Sequence, residues 1–339
     1  MLQNERLNSV LLFVEVPRQY LSELNRKYSE RGFAFNATTS ESEAIDLAKS
    51  ADVLVVARPV ERVISAASKC RWIHALSAGV ESYLSLETVR KRSDLILTNS
   101  AGVYAVSIAE HTMAMILFRT RKIDFAVAGQ RKRKWVPLSF ESGMGVSPTD
   151  LQKKTMGIVG LGHTGLEIAR RARPYEMRIL GTRKHSAAER LRIEEYRSYV
   201  DSVCSQNQLD EMLSDSDVVV NALPLTDETR HLFDADRFSK FKRGSIFVNI
   251  GRGETVVEKD LIGALKDGKL DFAALDVFET EPLPSDSPLW VMENVLISPH
   301  YAGTSELTGR RAMELFEENL QRYAVGKELL NVVDKEEGY

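Results

Sequence analysis

The sequence of 339 residues has little cysteine, no marked excess of either charge sign and no long apolar run. Its two cysteines, Cys70 and Cys204, stand too far apart for a metal-binding spacing, and free thiols in a reducing cytoplasm are the simplest interpretation. The formal net charge of −3 gives no basic field for nucleic acid. No apolar stretch approaches the ~20 residues of a membrane span, and the apolar N-terminal stretch lacks a cleavage signature. We therefore expect a cytoplasmic protein without membrane or nucleic-acid partners.

Short apolar runs alternate with polar, helix-forming stretches along most of the chain, which predicts an α/β fold with parallel sheets covered by helices. The pattern occurs in two series. In the first series the predicted strands are 10–14, 33–36, 53–57, 71–75 and 94–97, and the predicted helices are 19–31, 41–49, 60–68 and 80–91. In the second series the predicted strands are 155–160, 177–182, 217–222, 245–250, 271–276 and 295–298, and the predicted helices are 164–173, 206–213, 234–240 and 258–267.

Three segments outside these series complete the predicted organisation. Residues 106–121 are apolar at helical spacing and predict a long helix that leads into the second series. Residues 129–150 are polar, with glycine and proline, and predict a loop. A last helix is predicted over 304–325, capped by Thr304 or Ser305. Because the second sheet is then already full, this helix is expected to return to the first domain.

We expect two doubly wound parallel-sheet domains joined by two chain crossings. The first is a discontinuous, flavodoxin-like substrate domain made of residues 1–104 and 302–339. The second, inserted in the first, is a six-stranded Rossmann dinucleotide-binding domain of residues 105–301, with its topological switch point beside its first strand. Two crossings are the architecture of a hinge, so the active site is expected in a cleft between the domains.

The most informative motif is a glycine-rich turn between an apolar strand and a helix. It consists of Gly160, Leu161, Gly162, His163, Thr164 and Gly165. The first glycine permits a tight turn, the second lets a pyrophosphate approach the backbone, and the third lets helix and strand pack closely. Bare amides and the positive end of the helix dipole attract the phosphates. In this strand–turn–helix setting the motif favours a dinucleotide site over a ligand-free turn.

The tip of the following strand indicates which dinucleotide is bound. A site for NAD(H) usually carries an acid there, to bind the ribose hydroxyls. This chain instead has Thr182, Arg183 and Lys184, and the two cations would attract a 2′-phosphate by charge-assisted hydrogen bonds. We infer NADP(H) in preference to NAD(H). An ordinary basic surface turn is the alternative, and it explains the cations but not the missing acid.

Three further segments place chemically active side chains at predicted strand ends. Arg252 stands on a glycine-flanked turn, from which it could fork onto a carboxylate and a neighbouring carbonyl. Asp276 and Glu281 follow another strand, at the end that faces the ligand crevice of a doubly wound sheet. His300 follows the last strand and would be a natural proton donor beside a nicotinamide. Taken singly, a surface arginine, an acidic surface loop and a structural histidine are the more ordinary interpretations.

In their order along the chain these motifs resemble those of the D-isomer-specific 2-hydroxyacid dehydrogenases. The resemblance spans about residues 50 to 325 and rests on the glycine motif, Asn249-x-x-Arg252-Gly253, Asp276-Val277-Phe278 with Glu281-Pro282, and Ser298-Pro299-His300. Four ordered motifs are far more specific than any one of them. The resemblance implies an oxidoreductase that transfers hydride between a nicotinamide cofactor and a 2-keto or D-2-hydroxy acid.

The resemblance also implies roles for single residues. Arg252 would bind the substrate carboxylate and polarise its carbonyl, His300 would exchange a proton with the carbonyl oxygen, and Glu281 would raise the pKa of His300. Asp276 would receive the nicotinamide carboxamide. The cofactor would also be bordered by Leu223, Pro224, Thr229, Ile250, Gly251 and Ala302. The substrate side would be formed by Arg58 and by the backbone amides of Ala78, Gly79 and Val80.

We therefore predict an NADP(H)-preferring reductase of small 2-keto acids, of the glyoxylate or hydroxypyruvate type, with no metal site. Two alternatives stay open: an NAD-dependent dehydrogenase of another D-2-hydroxy acid, and a non-enzymatic, cofactor-sensing protein similar to the corepressors that resemble this family. By resemblance the protein is a homodimer, in which Trp135 could reach a neighbouring subunit. The basic run 131–134 is interpreted as an exposed loop.

Overall fold

A computed structural model of the chain describes residues 8–135, 137–138, 147–183 and 198–339. The chain divides into two compact units, one formed by Met1–Val103 with Glu306–Tyr339 and the other by Tyr104–Ser305. Lys184, predicted to bind the cofactor, lies outside the described residues. None of the helices among residues 8–135, 147–183 and 198–339 is long and apolar enough to cross a membrane.

The first unit is built on a parallel five-stranded sheet. Its strands are β1 (Asn8–Phe13), β2 (Phe33–Ala37), β3 (Val53–Val56), β4 (Trp72–Ala75) and β5 (Ile96–Thr98). Their order, β2-β1-β3-β4-β5, is the flavodoxin-like order that the sequence predicted. The central strand β3 is buried along its whole length, as expected for four apolar residues covered by helices on both faces.

Helices cover both faces of this sheet. They are α1 (Arg18–Tyr28), α2 (Glu41–Ala48), α3 (Glu61–Ala66), α4 (Glu81–Leu84), α5 (Glu87–Arg90) and the C-terminal helix, Thr308–Ala324. The C-terminal helix packs on the first unit, where Phe316 and Tyr323 lie 5.5 and 5.3 Å from the buried ring of Trp72, measured between ring centroids.

Two predicted helices of this unit are wrong in their limits. The predicted helix 80–91 is two short helices, because Leu86 between them has extended backbone (φ −80°, ψ 120°). The predicted cap at Thr304 or Ser305 is also wrong. The C-terminal helix begins at Thr308, and its N-cap residue, Leu307, makes no side-chain capping hydrogen bond.

The described part of the second unit contains a parallel seven-stranded sheet. Its strands are β6 (Thr155–Val159), β7 (Arg178–Thr182), β8 (Ser202–Cys204), β9 (Val218–Asn221), β10 (Ser245–Asn249), β11 (Leu270–Leu275) and β12 (Val295–Ile297). The order β12-β11-β10-β9-β6-β7-β8 is that of a dinucleotide-binding sheet with one added strand, β12. The predicted switch point beside β6 is confirmed, since β7 and β9 lie on either side of it.

The sequence predicted six strands for this sheet and missed β8. This strand has three residues at the edge of the sheet, and two of them are exposed, so it carries no apolar pattern. The helices in the described part of the unit are α6 (Ala105–Thr120), α7 (Ile123–Arg131), α8 (His163–Ala172), α9 (Leu209–Asp215), α10 (Ala235–Lys240) and α11 (Glu258–Lys266). The predicted loop 129–150 is wrong at its start, because α7 continues to Arg131.

Candidate active site

The glycine-rich turn joins β6 to α8 with a different constraint at each glycine. Gly160 has a left-handed φ of +104°, and a Cβ there would lie 2.9 Å from the Ala222 carbonyl oxygen. At Gly165 a Cβ would collide with the carbonyl oxygen of Gly160, so helix and turn could not pack. A Cβ at Gly162, by contrast, would meet nothing within 4 Å. The middle glycine therefore leaves open the space at the start of α8 that a pyrophosphate needs.

The tip of β7 lies directly beside this turn. The Leu161 amide donates to the Thr182 carbonyl oxygen at 2.8 Å, and a Cβ on Gly181 would collide with the Leu161 side chain. Loss of solvation, and then the positive charge of Arg183, lower the pKa of His163 at the first position of α8. The positive charge of Arg183 therefore acts at the start of α8. The tip of β7 carries no acid.

A buried amide network joins the carboxyl ends of β9 and β10. Asn221 Nδ2 donates to Asn249 Oδ1 at 2.9 Å and to Thr255 Oγ1 at 2.7 Å, and Thr255 Oγ1 donates to the Arg252 carbonyl oxygen at 2.6 Å. The Leu223 amide donates to Asn221 Oδ1 at 3.2 Å. Asn221 and Thr255 were not predicted from the sequence. Asn221 ends a run of three valines, and a polar residue at the end of such a strand was the one sign in the sequence of a role at this edge of the sheet.

The turn that carries Arg252 is packed tightly against the next loop. A Cβ on Gly253 would overlap the carbonyl group of Phe278, and a Cβ on Gly251 would lie 2.6 Å from the Leu223 carbonyl oxygen. Arg252 Nη1 donates to the carbonyl oxygen of Gly251 at 2.7 Å. These two glycines bring Arg252 close to Glu281 and His300, which both experience its charge.

Asp276 anchors the loop that follows β12. Its carboxylate is buried and accepts the Ser298 hydroxyl at 2.6 Å, the Tyr301 amide at 3.1 Å and the Ala302 amide at 3.1–3.2 Å. Its backbone oxygen accepts the His300 amide at 2.8 Å. These bonds hold His300 at a left-handed φ of +50°, a conformation that a non-glycine residue adopts only when its surroundings impose it.

His300 and Glu281 form a hydrogen-bonded ion pair. Nδ1 of His300 lies 2.7 Å from Oε2 of Glu281, and Oε1 of Glu281 accepts the Phe278 amide at 3.0 Å. The bond to Glu281 raises the pKa of His300 against the opposing effect of desolvation. Burial alone would raise the pKa of Glu281, but the bonds from His300 and Phe278 outweigh it and lower that pKa. Since a carboxylate only accepts, Nδ1 carries the shared proton and Nε2 stays available to a substrate.

The predicted substrate residues lie in the first unit, at the carboxyl end of its sheet. Arg58 follows β3 and is exposed. The loop after β4 is held from β5, because Asn99 Nδ2 donates to the Ala78 carbonyl oxygen at 2.9 Å. Val80 is 2% exposed, so its side chain is buried. Asn99 was not among the residues predicted from the sequence.

The remaining predicted cofactor residues lie in loops that follow strands of the second unit. Ile250 and Ala302 are buried, and Gly251 is part of the tight turn described above. In the loop after β9, Thr229 Oγ1 donates to the Pro224 carbonyl oxygen at 2.7 Å and lies 2.8 Å from the donating amide of Thr226. The hydroxyl of Thr229 therefore shapes this loop from within.

Comparisons with known proteins agree with this geometry. A family model for the NAD-binding domain of D-isomer-specific 2-hydroxyacid dehydrogenases matches residues 113–302. A glyoxylate reductase from Korarchaeum cryptofilum is 33% identical over 328 residues, which are 95% of this chain and 94% of that protein.

Two solved structures have the same fold along nearly the whole chain. A D-isomer-specific 2-hydroxyacid dehydrogenase from Xanthobacter autotrophicus Py2, in complex with NADPH and MES, has a TM-score of 0.80 at 27% identity and covers 98% of this chain and 99% of its own. An NADPH-dependent glyoxylate/hydroxypyruvate reductase from Sinorhizobium meliloti, in complex with NADP and sulfate, has a TM-score of 0.80 at 26% identity and covers 98% and 100%.

A doubly wound sheet with an open glycine turn at its switch point is the frame of a nucleotide-dependent oxidoreductase. Within that class, the family match and the identity over almost the full length decide the assignment: the chain belongs to the D-isomer-specific 2-hydroxyacid dehydrogenases. The prediction of an enzyme that transfers hydride between a nicotinamide dinucleotide and a 2-hydroxy acid is thereby confirmed. The alternative of a non-enzymatic cofactor sensor is not favoured.

Proposed function

We propose that this enzyme is an NADP(H)-preferring reductase of small 2-keto acids of the glyoxylate or hydroxypyruvate type. The proposal rests on the composition of the tip of β7. Arg183 lies there with its charge acting at the start of α8, and no acid occurs at positions 182–184. The names of the similar proteins, a glyoxylate reductase and an NADPH-dependent glyoxylate/hydroxypyruvate reductase, support both halves of it. Because cells usually keep NADP reduced, reduction would be the physiological direction.

The cofactor would be held by the carboxyl edge of the seven-stranded sheet. The amides at the start of α8, beside the open space at Gly162, fit a pyrophosphate, and Arg183 fits a 2′-phosphate. The carboxylate of Asp276 would accept a hydrogen bond from the nicotinamide carboxamide. When bound, NADPH would supply the hydride. The protein residues would then have to orient the keto acid and deliver a proton.

Proton delivery would fall to His300. Its Nδ1–H is bonded to Glu281, so Nε2 is the atom that would give a proton to the carbonyl oxygen as negative charge develops there. Glu281 keeps more of the imidazole in the charged form at neutral pH. Arg252 would bind the substrate carboxylate and polarise the carbonyl. In oxidation the same residues would act in reverse, with neutral His300 as the base.

The first unit would bind the other end of the substrate. The loop that Asn99 holds offers the amides of Ala78, Gly79 and Val80 to a carboxylate, and Arg58 would add a cation. We infer that this discontinuous unit is the substrate domain and that the inserted unit is the cofactor domain. We further infer a cytoplasmic homodimer. Trp135, 94% exposed at the end of the basic run, is the residue offered to a second subunit. Elution at monomer size would contradict the dimer.

The cofactor proposal is tested by fluorescence titration of the purified protein with NADPH and NADH, followed by turnover with glyoxylate and hydroxypyruvate. We expect tighter binding of NADPH. Arg183→Asp should weaken NADPH binding by about 10- to 100-fold, because a hydrogen bond to a charged group contributes about 1.5–3 kcal/mol, and should improve NADH binding. Arg178→Asp makes the same change at the exposed start of the same strand and should alter neither affinity.

Two results would contradict the proposal. Equal or weaker binding of NADPH in the wild type would mean that the basic tip does not select the cofactor. The absence of turnover with every 2-keto acid tested would contradict the reductase assignment itself.

A further inference from the structure

A second histidine, His111, is connected through hydrogen bonds to the loop that carries His300. His111 lies on α6, and its Nε2 is 3.0 Å from Oγ of Ser298. Ser298 Oγ in turn lies 2.6 Å from Oδ1 of Asp276, which accepts the amides of Tyr301 and Ala302. The ring of Tyr301 packs edge-on against the His111 ring, with 5.2 Å between centroids and a 77° angle. His111 therefore contacts the loop after β12, which carries His300, at Ser298 and at Tyr301.

The direction of these bonds follows from the donor inventory. A carboxylate only accepts, so the hydroxyl hydrogen of Ser298 must point to Asp276. Ser298 Oγ is then an acceptor toward His111, and Nε2 of His111 must carry a hydrogen. Burial, partly offset by the charge of Asp276, lowers the pKa of His111. The neutral ring with its hydrogen on Nε2 is thus sufficient for the chain His111 to Ser298 to Asp276.

We propose that His111 is a positioning residue for the proton donor: it fixes the Ser298 hydroxyl on Asp276 and so holds the turn that presents His300. The proposal rests on the proposed function, in which His300 exchanges the proton. Apolar packing alone does not account for the choice of histidine, because Ser298 and Asp276 are each 3% exposed and a buried polar chain is stable only when every member finds its partner.

The test uses the different reach of two amides. In His111→Gln the amide nitrogen takes the place of Nε2 and can still donate to Ser298, whereas in His111→Asn it takes the place of Nδ1 and falls short. We expect His111→Gln to keep kcat within about 3-fold and His111→Asn to lose about 10- to 100-fold, the scale of a misplacement of about 1 Å. The Kd for NADPH should be similar in the two variants. His231→Gln, at an exposed histidine, is the control.

Two further measurements make the test decisive. His111→Asn and Ser298→Ala should be strongly non-additive, so that the double variant loses little more than the worse single one. NMR titration of His300 gives a readout that needs no turnover. Its pKa, raised by Glu281 in the wild type, should fall toward the ordinary value in His111→Asn but not in His111→Gln.

Equal behaviour of the glutamine and asparagine variants, or independent losses at His111 and Ser298, would overturn the positioning role. These results are distinct from a failure of the proposed function. If the wild type reduced no 2-keto acid, the reductase assignment would fall, while the His300 titration would still decide whether His111 positions the loop.

Discussion

At the scale of single residues, the proposed chemistry depends on one imidazole, His300, whose two nitrogens would have separate roles. Nδ1 of His300 is committed to Glu281 at 2.7 Å, and the backbone is held at φ +50° by the bond to Asp276. The side chain is still 51% exposed.

Removing the imidazole should separate catalysis from cofactor binding. We expect His300→Ala to lower kcat by about 10²- to 10⁴-fold, the usual contribution of general acid–base catalysis. The Kd for NADPH should change little, because the bond from His300 strengthens only as charge develops on the substrate oxygen. Steady-state kinetics with a fluorescence titration measures both. Unchanged turnover would refute the role of His300.

The charge on Glu281 should set the working pH. In the proposed mechanism reduction needs protonated His300, so its rate should fall as pH rises through the His300 pKa, while oxidation should gain over the same range. Glu281→Gln keeps an acceptor for Nδ1 but removes the negative charge that helps to raise this pKa. Both limbs should therefore shift to lower pH, which pH profiles of kcat/KM in the two directions would reveal. Glu279→Gln removes a nearby charge outside the pair and should leave the profiles in place. A shift of equal size in both variants would count against the specific pairing.

At the scale of secondary-structure elements, the site is made of turns at the carboxyl ends of parallel strands. The elements themselves are ordinary, and the turns carry the constraints. Gly160, Gly165, Gly251 and Gly253 each lie too close to backbone for a Cβ, whereas Gly162 faces open space. Packing therefore fixes the turns that hold side chains in place, and the gap at Gly162 is left for a ligand.

Gly253 and Gly263 offer a matched test of this distinction. Gly253→Ala would push a Cβ into the carbonyl of Phe278, so it should displace the Arg252 turn and lower both stability and kcat. Gly263, inside α11, has nothing within 4 Å of the Cβ position. Gly263→Ala should stabilise the helix by about 0.5–1 kcal/mol and leave kcat unchanged. Urea unfolding and steady-state kinetics check both. Wild-type kinetics in Gly253→Ala would show that the turn is not constrained as described.

At the scale of the whole molecule, the chain makes two separate sheets and then returns to the first. The core of the first unit holds a titratable group that serves no catalytic purpose. His74 is fully buried on β4, and its Nδ1 lies 2.8 Å from Thr98 Oγ1, which also accepts the Trp72 indole N–H. The Thr98 hydroxyl keeps one hydrogen that it can donate to Nδ1, while Nε2 finds no hydrogen-bond partner among the described residues. Burial lowers the pKa of His74 from 6.5 to about 4.

This histidine should make the protein sensitive to acid. The unfolded chain takes up the proton near pH 6.5 and the folded chain only near pH 4, so stability from this group is complete above pH 6.5 and is lost as pH falls to about 4. The loss over this range should be roughly 3 kcal/mol. His74→Asn keeps an acceptor for Thr98 but does not titrate, so its stability should depend less on pH. Urea unfolding followed by tryptophan emission, to which the buried Trp72 contributes, would measure the difference. The same pH dependence in both proteins would contradict this account.

The sequence by itself determined the features that depend on neighbouring residues. Apolar periodicity gave the two αβ series, and the strand–glycine–helix string gave the dinucleotide turn. The motifs around Arg252, Glu281 and His300 carried the resemblance that predicted the reaction. Each can be found in the sequence because it is a short segment with its own turn residues. The local pattern was too weak where an element is short or exposed, as in β8 and in the break at Leu86.

Only the tertiary structure decided which distant residues support the predicted site residues within each unit. Asn221 meets Thr255, Asn99 holds the loop at Ala78, and His111 reaches Ser298 across 187 positions of sequence. Such contacts follow from the order and register of strands in a sheet, which places side chains from different strand ends side by side. A single polar residue on an apolar helix or at a strand end gives no sign of its partner, so its role is settled only when the sheet brings the two together.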